Sequence, residues 1–121
     1  MGAFALTSDA VQWTMLFDFY GDLLTEKQRE YYDLHHNEDL SLQEIAEQNG
    51  LTRQGVWDIV RRAEGTLLET EEKTGLLARF MATQKTVARL ERDAAELRGL
   101  CAGRAAQLCD SVISGLSELK G

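Results

Sequence analysis

The sequence predicts an all-α protein: a helix-turn-helix domain followed by a long C-terminal helical arm. Three observations lead there. The 121-residue chain has no proline, and its ten glycines are scattered between long periodic segments; helix interiors tolerate neither proline nor clustered glycine. Two Ser/Thr-x-x-Glu/Gln pairs and one Asn-Gly turn punctuate the first half of the chain at helical spacing,. From Leu76 to Cys101 a mostly apolar residue recurs at alternating steps of four and three, which keeps one face of a helix apolar.

A first helix is expected from about Ser8 or Asp9 to Tyr20, stopping at Gly21, with Val11, Met15, Leu16 and Phe19 as its apolar stripe and Trp13 beside it,. Thr25 opens the second, its hydroxyl capping the first amides while Gln28 reaches back,. Tyr31, Tyr32 and Leu34 form the inner face. Ser41 and Glu44 form a second capping box, and Leu42, Ile45 and Ala46 point inward,. Asn49 and Gly50 make the turn, since both residue types tolerate a positive φ,. Thr52 then caps a fourth helix that buries Val56, Ile59 and Val60, with Ala46 small enough for a close crossing and Leu51 in the joint.

At about Glu64 the pattern changes from short helices to one long one. The expected division is therefore a helix-turn-helix domain over residues 1–64 and an arm over residues 65–121. The arm's stripe is Leu76, Phe80, Thr83, Val87, Leu90, Ala94, Leu97 and Cys101. Gly99 and Gly103 are places for a break, leaving a last helix near Arg104–Leu119 with Leu108, Val112, Leu116 and Leu119 on one side. The stripe either folds back on the N-terminal domain or forms a seam with a partner. It exceeds what a domain of that size covers, so a homodimer through the arm is expected.

The net charge is −7, and its location matters more than its size. Residues 1–64 carry five basic and twelve acidic residues; residues 65–121 carry eight of each. The acidic excess thus sits on the half that holds the helix-turn-helix, the reverse of a strong nucleic-acid binder's footprint. The base-facing side of the fourth helix would present Arg53, Gln54, Trp57, Asp58 and Arg61,. Arg53 matches guanine and Gln54 matches adenine, while Arg61 and Arg62 suit phosphates. With the capping Thr52, the candidate nucleic-acid-binding residues are Thr52, Arg53, Gln54, Trp57, Arg61 and Arg62. Asp58 and Glu64 set negative charge nearby, and Gly55 weakens the helix by roughly 1 kcal/mol relative to alanine. About three phosphate-facing cations give a salt slope of about −3 per subunit, or about −6 for a dimer. Trp57 suits stacking or a protein contact better than a groove floor, or else packs against its own fold.

No catalytic residues, metal site or cofactor are expected. The chain has no G-x-x-x-x-G-K-[ST] loop, no nucleophile elbow and no ligand cluster,. His35 and His36 are adjacent, so a helix turns them ~100° apart. Cys101 and Cys109 lack C-x-x-C spacing and read as small buried apolar residues,. No run approaches the ~20 apolar residues of a membrane span, and the N-terminus lacks the basic region of a signal peptide. A cytoplasmic location is expected.

The segment "DFYGDLLTEKQREYYDLHHNEDLSLQEIAEQNGLTRQGVWDIVRRAE" resembles the YlxM-like family of small bacterial helix-turn-helix proteins. The matching elements are D-F-Y-G at Asp18–Gly21, L-L-T-x-K-Q at Leu23–Gln28, S-L-x-E-I-A-E at Ser41–Glu47 and [ST]-R-Q-x-V-x-D at Thr52–Asp58. The likeness covers about Met15 to Leu77. More distantly the region is similar to sigma factor region 4, a helix-turn-helix of winged-helix-superfamily type, which often carries basic and small polar residues near the positions of Trp57 and Asp58. The resemblance implies a cytoplasmic DNA-binding regulatory protein of the signal recognition particle pathway. Its implied partners are DNA and, in the alternative, the particle's RNA or its GTPases. Gly55 stands where the family usually has alanine, and Trp57 where tyrosine is common.

Overall fold

The computed structural model describes residues 9–120. Six α-helices follow one another: α1 Asp9–Tyr20, α2 Glu26–Tyr32, α3 Leu42–Asn49, α4 Arg53–Thr74, α5 Leu76–Gly99 and α6 Gly103–Lys120. A 3-10 turn, Gly21–Leu23, joins α1 to the loop before α2, and a π-helical turn, Asp33–Asn37, follows α2. No strand occurs among the described residues. The fold class read from the sequence holds. Ser8, one of the two expected starts of α1, lies outside the described residues. The chain divides into two compact units between Ala78 and Arg79.

The expected punctuation forms. Thr25 accepts a hydrogen bond from the Gln28 amide at 3.2 Å while the Gln28 side chain accepts from the Thr25 amide at 3.1 Å. Ser41 and Glu44 do the same at 3.0 and 2.9 Å. Those bonds from Ser41 hold the Glu44 carboxyl below the ordinary range, because they favour its charged form. Of the Asn49–Gly50 pair only Gly50 takes the left-handed conformation, φ 67°, ending α3. Asn49 stays helical and returns its side-chain amide to the Ile45 carbonyl at 2.8 Å.

In the N-terminal unit α4 packs against α1, α2 and α3. One core cluster joins Tyr31, Ile45, Ala46, Val56 and Val60, with Leu34, Leu40, Leu42 and Ile59 half-buried against it. Leu51, expected in the joint, is 41% exposed. The α1 face also differs from expectation: Leu16 and Tyr20 are buried, whereas Val11 and Phe19 are largely exposed. Apolar residues surround α1, so periodicity could not choose its inner side, which buries Leu16 and also carries long-range hydrogen bonds. Tyr32 donates its hydroxyl to the Trp13 carbonyl at 2.6 Å, and its ring stacks on Phe17 with centroids 5.2 Å apart. Burial, then the charges of Glu64 and Asp18, push the Tyr32 hydroxyl pKa up.

The domain boundary expected at about Glu64 falls inside a helix. The helix beginning at Arg53 continues to Thr74 and ends at Gly75, φ 63°. Its buried residues Val56, Val60, Ala63, Leu67 and Glu71 form one uninterrupted inner stripe. Glu71 closes this joint. Its Oε1 accepts from the Tyr20 hydroxyl and, at 2.9 Å, from the Leu77 amide, and its Oε2 accepts from the Ala78 amide at 3.0 Å. Burial, and then the bond to Glu71, raise the Tyr20 pKa. The acidic side chain therefore caps the start of α5 from inside the core.

In the C-terminal unit α6 runs back along α5. Arg98 bonds Asp110 at 2.8 Å near the joint, and Lys120 bonds Glu91 at 3.2 Å further along. Val87, Ala106 and Cys109 are buried, but Leu76, Phe80, Leu90 and Leu97 of the expected stripe stay largely exposed.

Replacing Glu71 by alanine removes the acceptor for three donors, and burying them unpaired costs about 2–4 kcal/mol. The expected result is a lower urea midpoint by circular dichroism, with Tyr20→Phe costing less. A Glu71→Ala midpoint equal to wild type would remove this network from the fold's support.

Candidate nucleic-acid interface

Thr52 is extended, φ −86° and ψ 156°, and its hydroxyl accepts from the Gly55 amide at 3.0 Å. This cap starts α4 at Arg53 and leaves the first amides of the helix facing outward. Gly55 fits the same cap closely: a Cβ there would lie 3.2 Å from the Thr52 hydroxyl.

Thr52, Arg53, Gln54, Trp57, Arg61 and Arg62 are all exposed. Helical spacing sets Gln54, Asp58, Arg61 and Arg62 opposite the buried stripe, with Arg53 and Trp57 at its edge. Among the described residues none of the three arginines forms an ion pair. The two carboxylates within the same stretch are otherwise engaged. Asp58 accepts from Gln54 at 3.2 Å, and Glu64 is held by His36 at 2.7 Å in a half-buried pair. Gln54 must therefore give up an internal bond before it meets a base edge. Arg61 lies over the Trp57 ring, 5.4 Å from its centroid, which orders the indole without covering it; Trp57 remains 40% exposed.

Two features escaped the sequence. His36 reaches Glu64 across 28 positions, with its ring against Tyr32 at 4.5 Å and Trp13 at 5.1 Å. The π-helical turn aims it there, and no local pattern marks such a turn. Beside this pair a cleft of about 270 Å³ is lined by Trp13, Arg61, Glu64, Gly65 and Leu68. The second is that α4 runs unbroken to Thr74, which sets a charge division along a single helix. Arg53, Arg61 and Arg62 occupy its first three turns, whereas residues 64–72 hold four glutamates and no cation.

No group of three or more His, Cys, Asp or Glu residues with metal-binding geometry occurs among the described residues. No described helix is long and apolar enough to cross a membrane. The arrangement offers exposed cations, a helix start and one aromatic plane, which suit a polyanion.

Comparison with known proteins agrees with the geometry. A family model described as "Putative helix-turn-helix protein, YlxM / p13 like" matches residues 7–100. A UPF0122 protein of Desulforamulus reducens is 51% identical over 73 residues, covering 60% of this chain and 62% of that protein. UPF0122 proteins of Bacillus cereus strain AH187 and Bacillus thuringiensis subsp. konkukian are each 51% identical over 77 residues, 64% of this chain and 70% of theirs. The alignment thus spans under two thirds of the Desulforamulus protein's own length. With nearly four-fifths of its residues inside the family match, the chain belongs to the YlxM/p13-like helix-turn-helix family.

Proposed function

We propose that this is a cytoplasmic, non-enzymatic regulatory protein that docks the first three turns of α4 on DNA and acts as a homodimer through its arm. The observation that carries the reading is the exposure of Arg53, Arg61 and Arg62 on one capped helix, without an ion-pair partner among the described residues. Three cations per subunit support weak, salt-sensitive binding that a dimer would strengthen. Its place in the signal recognition particle pathway rests on family resemblance alone. The dimer is supported by the arm's apolar groove of about 300 Å³, around which Leu97, Leu108 and Val112 are each at least half exposed.

A second reading is an accessory protein that binds the particle's RNA or its GTPases without sequence-specific DNA recognition. The exposed Trp57 plane with Arg61 above it favours this, because indole stacking suits an unpaired base better than a duplex groove,.

Titrations against duplex DNA, the particle's RNA and its GTPase at several salt concentrations separate the two. Duplex binding should follow a slope of about −3 per subunit, and Arg61→Ala with Arg62→Ala should flatten it by about 2. Trp57→Ala should leave duplex binding nearly intact but weaken single-stranded RNA by about 1–3 kcal/mol if the second reading holds. Affinities unmoved by the double arginine variant would exclude this face. In light scattering, Leu97→Glu with Leu108→Glu should convert a dimer into a monomer; a monomeric wild type would exclude the seam.

A further inference from the structure

The two cysteines, eight positions apart, converge where α5 turns into α6. Cys101 follows the end of α5 and Cys109 lies in the second turn of α6. The backbone brings them together. The Cys101 amide bonds the Arg98 carbonyl at 3.3 Å, and Gly103, φ 63°, reverses the chain. Both thiols are free and line the same apolar groove with Ala94, Leu97 and Val112. Exposure differs between them: Cys101 is half-buried, and Cys109 is buried.

We propose that Cys101 and Cys109 are a redox-active dithiol that closes to an intramolecular disulfide on reaction with a hydroperoxide. Cys101, open to the groove, is the attacking sulfur. Its thiolate takes the terminal oxygen of the peroxide, the O–O bond breaks, and the departing hydroxide or alkoxide is protonated. Cys109 then attacks the Cys101 sulfur. The S–O bond breaks, and the leaving hydroxide takes the Cys109 proton as water. With hydrogen peroxide the sum is two thiols and one peroxide giving one disulfide and two waters. Each sulfur is oxidised by one electron and the peroxide is reduced by two.

The environment assigns the two roles. Burial, and then the contact with Cys101, raise the Cys109 pKa, so it waits as a thiol and resolves rather than attacks. The Arg98–Asp110 ion pair beside it keeps the two helix ends together. The inference stands apart from the nucleic-acid reading, since both residues lie beyond the family match, which ends at residue 100; their groove is also the proposed dimer seam, so the reaction is run at a concentration at which light scattering shows single chains.

The test uses the full chain, which has two cysteines in all, so the thiol count is unambiguous. The reduced protein is exposed to hydrogen peroxide, quenched with a thiol alkylator before unfolding, and weighed intact. The expected product has lost about 2 Da and both alkylation sites, migrates as one chain without reductant, and regains both sites with dithiothreitol. Cys109→Ala should instead hold a sulfenic acid at Cys101, trapped by dimedone, whereas Cys101→Ala should leave Cys109 largely unmodified. Circular dichroism checks that both variants are folded. A wild-type chain that keeps two alkylatable thiols, gains about 32 Da as sulfinic acid, or links to a second chain overturns the proposal. The same reaction in urea must be slower; an equal rate would show that the fold does not poise the pair.

Discussion

The inner stripe of α4 is the interaction on which the rest of the N-terminal unit depends. Val56, Val60, Ala63 and Leu67 are almost wholly buried at successive turns, each of the larger ones worth about 1.5–3 kcal/mol of transfer free energy. The three preceding helices pack on that one surface. At its far end the stripe finishes not on another apolar residue but on Glu71, whose two oxygens gather a phenol and two amides. A helix of 22 residues, about 33 Å long, is thereby fixed at both ends,. Thr52 caps its start and Gly75 turns the chain at its finish. The outward face inherits that rigidity, so Arg53, Trp57, Arg61 and Arg62 stand on a firm base.

Most of the fold was legible because local signals and tertiary packing agree. The capping boxes at Thr25 and Ser41, the glycine turn at Gly50 and the cap at Thr52 all form with the expected partners. Each involves residues within three or four positions of one another, a range at which residue type constrains geometry. The failures share the opposite property. The inner side of α1 carries hydrogen bonds to residues as far away as Glu71, 51 positions later. The run of α4 past Glu64 ends on a buried glutamate, which composition argues against,. Among Glu69, Glu71 and Glu72, residues that ordinarily mark a solvated face, Glu71 instead marks the joint.

The candidate site was read correctly as to exposure and incompletely as to surroundings. Arg61 and Arg62 point outward as their helical phase required, and Arg53, in phase with the edge of the buried stripe, is exposed as the first residue of the helix. What spacing could not supply was the fate of the neighbouring acids. Glu64 is drawn aside by His36, and Asp58 is occupied by Gln54. Neither carboxylate pairs with Arg53, Arg61 or Arg62, although both keep negative charge beside them. The cysteines illustrate the same limit: a spacing of eight says nothing until the glycine at 103 folds the chain back on itself.

The uneven charge along α4 sets a reach. Any polyanion lying along the helix from its start gains attraction for about ten residues, roughly 15 Å of axis, and then runs into Glu69 and Glu72, the exposed carboxylates of its second half. The helix is thus a short landing strip with a barrier at its end. Molecules that need only a few consecutive phosphates can settle there, and longer engagement has to be assembled from a second copy.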